Sequence, residues 1–227
     1  MSTERKTVSL RAISIPPRSG KSPEALLVML HGWGANAQDV ASLALMLDLP
    51  TMQLLFPDAP FPYPYGPTGR VWYDLPDGYS FESDPEFVHQ PKLRESAAQL
   101  TDWLRSLSSI TGVPLEKTLL AGFSQGGAMA LEVGLSLPLA GLLVLSGYLH
   151  GPPQLGIALP PPVLMVHGQQ DLVVPIGAAR RSRDVLQSAG LSVRYHELST
   201  GHEITPEVLK LAQNFTEEIR LSASRSE

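Results

Sequence analysis

The sequence predicts an α/β fold: a mostly parallel central sheet with helices on both faces. Apolar runs of strand length alternate with amphipathic stretches of helix length, the order expected when parallel strands are joined by helical crossovers. Runs such as Ala25-Leu-Leu-Val-Met-Leu30 are apolar throughout, as buried strands require. The 227 residues, 43% hydrophobic and 17% charged, suit one domain with a large core, spanning 1–227.

In chain order, Ala25 to Leu30 is the first expected strand. Asn36 then offers an N-cap and Asp39 a first-turn acid, while Val40, Leu43, Ala44 and Leu47 recur on one helix face. Met52 to Phe56 is a short strand halted by Pro57. Leu93, Ala97, Leu100, Leu104 and Leu107 mark a long helix. A strand at Lys117 to Ala121, a helix at Gly126 to Leu135, and strands at Gly141 to Ser146 and Pro162 to Val166 follow. Ala178 to Ala189 reads as a helix stopped at Gly190, and Leu191 to Leu198 as an edge strand. Thr205-Pro206 opens a last helix with Val208, Leu211, Ala212, Phe215 and Ile219 on one face; Ser222 to Glu227 is expected to fray.

Residues 58–91 break this rhythm. Pro60, Pro62, Pro64, Pro67, Pro76, Pro85 and Pro91 are interleaved with glycines and aromatics, a density that leaves only brief pieces such as Arg70 to Tyr73 regular. The aromatics, Phe61, Tyr63, Tyr65, Trp72, Tyr73, Tyr79 and Phe81 among them, favour a packed cap or pocket wall over a plain connection.

Composition excludes several function classes. A net charge of −5 gives no reason to expect nucleic acid or an anionic membrane surface. Zero cysteines remove disulfides, thiolate metal sites and a cysteine nucleophile. The six histidines are scattered without His-Glu-x-x-His spacing, and there is no P-loop, so neither a metal site nor P-loop phosphate binding is expected. Met1 to Lys6 leads into no apolar run, and Ala25 to Leu30 is too short to span a bilayer. A soluble cytoplasmic protein with no stable membrane insertion, acting as a monomer or homodimer, is the expectation.

Gly122-Phe123-Ser124-Gln125-Gly126 matches Gly-x-Ser-x-Gly, directly after an apolar strand and before a helical run. That is the setting of a nucleophile elbow, in which a tight turn projects the serine Oγ from the sheet edge. The alternative is a glycine-rich turn that happens to contain serine. A serine nucleophile needs a base, and the base an orienting carboxylate. In the α/β-hydrolase fold they follow in the order Ser, Asp or Glu, His. His202, in Thr200-Gly201-His202-Glu203 between the last strand and last helix, is the expected base; His150, His167 and His196 fit that order or loop position poorly. Asp171 follows a buried strand on a short loop and is the expected acid. Asp184 reads as a solvated partner of nearby arginines, and Glu203 is too close in sequence to orient His202. For the oxyanion hole, one donor is expected from the Gln125 amide and one from the Trp33 amide in the glycine-flanked turn Gly32-Trp33-Gly34; the Trp33 side chain would wall an acyl pocket.

With these residues placed, the chain resembles the carboxylesterase/phospholipase branch of α/β-hydrolases that includes the acyl-protein thioesterases. The matching motifs are Leu30-His31-Gly32-Trp33-Gly34, Phe56-Pro57-Asp58-Ala59-Pro60, Trp72-Tyr73-Asp74, Gly122 to Gly127, His167-Gly168 with Asp171, and Gly201-His202-Glu203. The resemblance implies cofactor-free hydrolysis of short- to medium-chain acyl esters, lysophospholipids or thioesters. It also implies an acyl groove roofed by the cap, with Trp72 and its neighbour Tyr73 as pocket residues. Many members carry a smaller aliphatic residue where Trp33 stands, so its bulk favours small or short acyl groups.

The expected partner is a small-molecule acyl ester. Ser124 attacks it, His202 shuttles the proton, Asp171 orients His202, and water releases the acyl group. A protein thioesterase, an acyltransferase and a non-catalytic ligand-binding relative are the alternatives.

Overall fold

The computed structural model describes residues 10–81 and 87–223. Among them, seven strands form one sheet in the order β1-β3-β2-β6-β7-β8-β9. These are β1 (Ala12–Ile15), β2 (Ala25–Leu30), β3 (Met52–Pro57), β6 (Thr118–Phe123), β7 (Gly141–Leu145), β8 (Val163–Gly168) and β9 (Val193–Leu198). Only β1 runs antiparallel, pairing Ile13 with Phe56; the other pairs are parallel. The remaining elements are the ribbon strands β4 (Phe61–Pro62) and β5 (Arg70–Val71) and the helices α1 (Ala37–Ala41), α2 (Pro91–Thr111), α3 (Gln125–Gly134), α4 (Ile176–Ser188) and α5 (Pro206–Ala223).

The period of two along each strand divides the core. Leu26, Val28 and Leu30 of β2 join Leu142 and Val144 of β7 and Val163 and Met165 of β8 on one face. There they meet Leu93, Leu100, Leu104 and Leu107 of α2, Met129 and Val133 of α3, and Leu186 of α4. Leu27 and Met29 point the other way, with Leu143, Leu145, Leu164 and Val166, against α1 and against Val208, Ala212 and Phe215 of α5. Helices therefore cover both faces, and the continuous apolar runs follow from that double burial. β9 lies at the sheet edge, as the weak alternation of Leu191 to Leu198 predicts.

Local signals explain most element ends. Asn36 Oδ1 accepts from the Gln38 and Asp39 amides while Asp39 accepts from the Asn36 amide, closing a capping box at α1. The helix tightens after one turn into a 3-10 stretch, Ser42–Met46. Pro91 opens α2, and Pro206 opens α5, where the Thr205 hydroxyl accepts from the Val208 amide.

Three features differ from the sequence reading. Ala12–Ile15 forms β1, a four-residue antiparallel edge whose alternation is too short to register. Within 58–91, Phe61–Pro62 pairs with Arg70–Val71, so the proline-rich stretch does hold a small ribbon. Ser222, where fraying is expected, belongs to α5, which continues to Ala223; residues 224–227 lie outside those described, as do Pro85 and the start of the chain through Ser9.

Candidate active site

β6 ends at Phe123 and α3 starts at Gln125, leaving Ser124 alone at the turn with φ 54° and ψ −118°. A non-glycine residue at positive φ costs about 1–3 kcal/mol, so the surroundings must enforce it. They do so through the backbone: the Ser124 amide donates to Leu145 O (2.8 Å), and its carbonyl accepts from the Ala128 amide (3.0 Å). Gly122 and Gly126 are required by close approach. A Cβ on Gly122 would lie 2.1 Å from Gly126 O, and one on Gly126 would lie 2.5 Å from Leu30 O. The strand-to-helix turn packs against the end of β2 with no room for a methyl group.

Asp171 follows β8 on a turn anchored to the loop after β9. The Gln169 amide donates to Leu198 O (2.7 Å) and the Gln170 amide to Thr200 O (3.0 Å). A Cβ on Gly168 would fall 2.3 Å from Gly201 O, so that glycine permits the two loops to touch. This brings His202 to Asp171: His202 Nδ1 donates to Asp171 Oδ2 at 2.7 Å. The other carboxylate oxygen accepts from the Val173 (2.9 Å) and Val174 (2.8 Å) amides. Because a carboxylate only accepts, Nδ1 carries the proton and the Nε2 lone pair is free toward a third group. The His202 ring packs on Phe123, next in sequence to Ser124, with centroids 4.7 Å apart. Among the described residues no hydrogen bond joins Ser124 Oγ to His202; such bonds commonly tighten only when substrate binds.

Of the two expected oxyanion donors, the Gln125 amide follows Ser124 at the start of α3 and the Trp33 amide lies in the turn after β2. Among the described residues neither the Trp33 amide nor the Gln125 amide has a hydrogen-bond acceptor, whereas the neighbouring Gly34 and Ala35 amides are occupied by Arg70 O (3.0 Å) and Gly32 O (3.2 Å). A Cβ on Gly32 would lie 3.4 Å from Ser124 Cβ, which sets the Trp33 turn beside the nucleophile. The Trp33 ring is 37% exposed and meets Tyr63 edge-on at 4.9 Å, with the exposed Tyr65 at 6.3 Å.

Trp72 and Tyr73 sit elsewhere than a pocket surface. Both are fully buried, at 0% exposure. The reason is their hydrogen bonding. The Gln125 side chain accepts from the Trp72 amide (2.9 Å) and donates to Tyr73 O (2.8 Å), while Trp72 Nε1 donates to His31 O (3.0 Å). Ser96 Oγ donates to Trp72 O. They brace the elbow and the Trp33 turn from behind.

Several residues around the site hold structural roles that the sequence reading did not assign. His31 is buried; its Nε2 accepts from the Ala59 amide (3.0 Å), so Nδ1 donates to Gly32 O (2.8 Å). Burial holds its pKa below the ordinary value, keeping it a neutral brace. A buried chain runs from Glu132 through His150 to Tyr73 and Tyr148, with links of 2.9, 2.8 and 2.9 Å. Burial raises both tyrosine pKa values, so the phenols remain donors. Tyr148 packs on Val174 and the aromatics Tyr79 and Phe81, tying the acid turn to the 58–81 segment. Only the pattern His-Gly-x-x-Asp around His167 hinted at a further histidine beside the acid.

A cavity of about 720 Å³ opens between β1, the start of α1 and residues 58–61, with Arg11, Asn36, Asp58, Arg70 and Glu95 among its walls. Ser124, Asp171 and His202 are not among them. Among the described residues no group of three or more His, Asp or Glu is placed to hold a metal, and no helix is long and apolar enough to cross a membrane.

A family model described as phospholipase/carboxylesterase matches residues 15–220. Acyl-protein thioesterase 1 of Neurospora crassa is 26% identical over 212 residues, covering 87% of this chain and 85% of that protein. Lysophospholipase-like protein 1 of Mus musculus is 29% identical over 210 residues, covering 83% and 85%. The crystal structure of esterase PE8 superposes with a TM-score of 0.84 at 32% identity, over 93% of this chain and all of that one. With a match that runs from the end of β1 into the last turns of α5, the chain belongs to the phospholipase/carboxylesterase family of α/β-hydrolases.

Proposed function

We propose that this protein is a serine carboxylesterase that hydrolyses short- to medium-chain acyl esters through an acyl-enzyme on Ser124. The observation that carries the reading is the 2.7 Å bond from His202 Nδ1 to Asp171, with the ring packed on Phe123, next to a serine at positive φ.

In the first half-reaction His202 Nε2 takes the Ser124 proton as Oγ bonds to the ester carbonyl carbon. The carbonyl oxygen becomes an oxyanion beside the free Trp33 and Gln125 amides, each contributing on the order of 3 kcal/mol to the transition state. The C–O bond to the alcohol then breaks, and His202 returns the proton to the leaving oxygen. Water repeats the sequence on the acyl-enzyme, releasing the carboxylic acid and free Ser124. Asp171 holds the histidine tautomer and balances the imidazolium. The elbow serine also starts α3, whose N-terminal dipole favours the developing negative charge.

The Trp33 ring, held by Tyr63, narrows one side of the site and supports a short acyl chain. Leu172, 96% exposed on the acid turn, together with the exposed Val173, leaves an apolar rim on the other. That rim supports a second reading, in which a longer acyl thioester or lysolipid chain lies across the surface. The absence of cysteine fits work in a reducing cytoplasm.

The test is steady-state hydrolysis of p-nitrophenyl esters from acetate to palmitate by wild type, Ser124→Ala and Trp33→Ala. The proposal expects activity peaking at short chains, lost in Ser124→Ala. Trp33→Ala should move the optimum toward longer chains by roughly tenfold in relative kcat/KM, the scale of a few methylenes in a pocket. Wild-type turnover retained by Ser124→Ala would reject the mechanism; a palmitate maximum in wild type would favour the second reading.

A further inference from the structure

We propose that His167 is a positioning residue that holds the Asp171 carboxylate in the orientation His202 requires. This rests on Asp171 and His202 acting as the acid and base assigned above.

His167 sits near the end of β8 with its ring buried. Its Nε2 lies 2.8 Å from Val174 O and 3.4 Å from Asp171 Oδ2, the same oxygen that accepts from His202. Both neighbours are acceptors, so Nε2 carries the proton and His167 donates to Val174 O. That bond closes a short circuit. The Val173 and Val174 amides hold Asp171 Oδ1, and the Val174 carbonyl is in turn held by His167, so the carboxylate plane is fixed by a turn pinned to the strand behind it. Oδ2 is left directed at His202.

The charge state of His167 matters as well. A protonated His167 would be a second cation on Asp171, competing with the His202 imidazolium. Burial holds its pKa below the ordinary histidine value. The ionisable groups that act on it are Asp171, His202 from the loop after β9, and Glu197 on β9. Glu197 is engaged by Arg180 through two 2.8 Å bonds and held down to about 2, so it stays ionised and constant while His202 cycles. Tyr148, packed on Val174, remains a neutral phenol. A neutral His167 therefore does not compete with His202 for Asp171 Oδ2.

The experiment compares His167→Leu, which removes the donor, with His167→Gln, whose Nε2 can reach the same carbonyl, using p-nitrophenyl acetate from pH 5 to 9. With the carboxylate free to turn away, kcat in the folded Leu variant should fall roughly ten- to hundredfold while KM changes by less than about threefold. The acid-limb midpoint of its pH profile should move down by about half a unit, because the imidazolium loses its counter-charge. His167→Gln should restore both. A Leu profile that overlays wild type, or a Gln variant no better than Leu, overturns the proposal. Imidazole ¹⁵N spectra of wild type supply a reading independent of variant folding. His167 should remain neutral with its proton on Nε2 at and below the pH where an ordinary imidazole protonates, and its protonation at or above that pH overturns the claim. Ser124→Ala run in parallel separates the levels: its survival removes the triad itself, whereas a dead Ser124→Ala beside an unaffected His167→Leu removes only the role of His167.

Discussion

The elbow is flanked by two regions built in different ways. On the β8–β9 side, Asp171 and His202 sit on loops tied to each other through the backbone, Gln169 to Leu198 and Gln170 to Thr200, and the His202–Asp171 hydrogen bond closes at 2.7 Å. On the β2 side, the Trp33 turn and the 58–81 segment are tied by side chains reaching across the sequence: Gln125 to Trp72 and Tyr73, Trp72 to His31, His31 to Ala59. In the proposed mechanism one region fixes a proton path, and the other fixes where the Trp33 amide points. Each contains one buried histidine, His167 and His31, used as a neutral brace. Disturbing the first region should change the chemistry with little loss of fold, and disturbing the second should cost stability together with rate.

The largest separation is expected from Asp171→Asn. It keeps the size of the side chain but favours the wrong histidine tautomer, and kcat should drop about 10⁴-fold. The thermal midpoint should move little, measured by circular dichroism on the same preparation. An Asn variant that unfolds instead would place Asp171 among the structural residues.

Gln125→Leu tests the other side. It leaves the buried Trp72 amide and Tyr73 carbonyl without partners, which costs about 2–5 kcal/mol by urea unfolding. The rate should fall through displacement of the cap and the Trp33 turn, with the pH profile unmoved. A shifted profile would mean that the two regions are not separable.

A smaller effect falls on both regions at once. His31 and His167 have folded-state pKa values below 6.5, so between the folded and unfolded values the unfolded chain binds more protons. Stability is therefore fully present above about pH 6.5 and falls as pH drops below it, by at most about 1.4 kcal/mol per pH unit for each histidine. Urea midpoints at pH 8 and pH 5 measure this, and equal midpoints would contradict buried neutral histidines.

The same contrast explains what was legible in the sequence. Ser124 and Asp171 each follow an apolar strand at a glycine-marked turn and His202 follows the edge strand β9 in a loop after Gly201, so local pattern and chain order single them out, and the structure brings Asp171 and His202 together. The central strands were legible because double burial writes continuous apolar runs, and most helices because one apolar face recurs at helical spacing. The cap was not. Trp72 and Tyr73 look like pocket aromatics in sequence, but their burial is set by Gln125, more than fifty positions away, and no local period records such a bond. His150 and Glu132 were equally silent, since a buried polar chain carries no spacing rule. β1 was too short to show its alternation.

The most direct test of the central claim is labelling by a fluorophosphonate serine reagent, followed by intact-mass measurement and peptide mapping. The mechanism predicts one adduct per chain, on Ser124, with esterase activity lost in proportion to labelling, and no labelling of Ser124→Ala. Complete inactivation with the adduct on another residue, or full activity in the labelled protein, would contradict it.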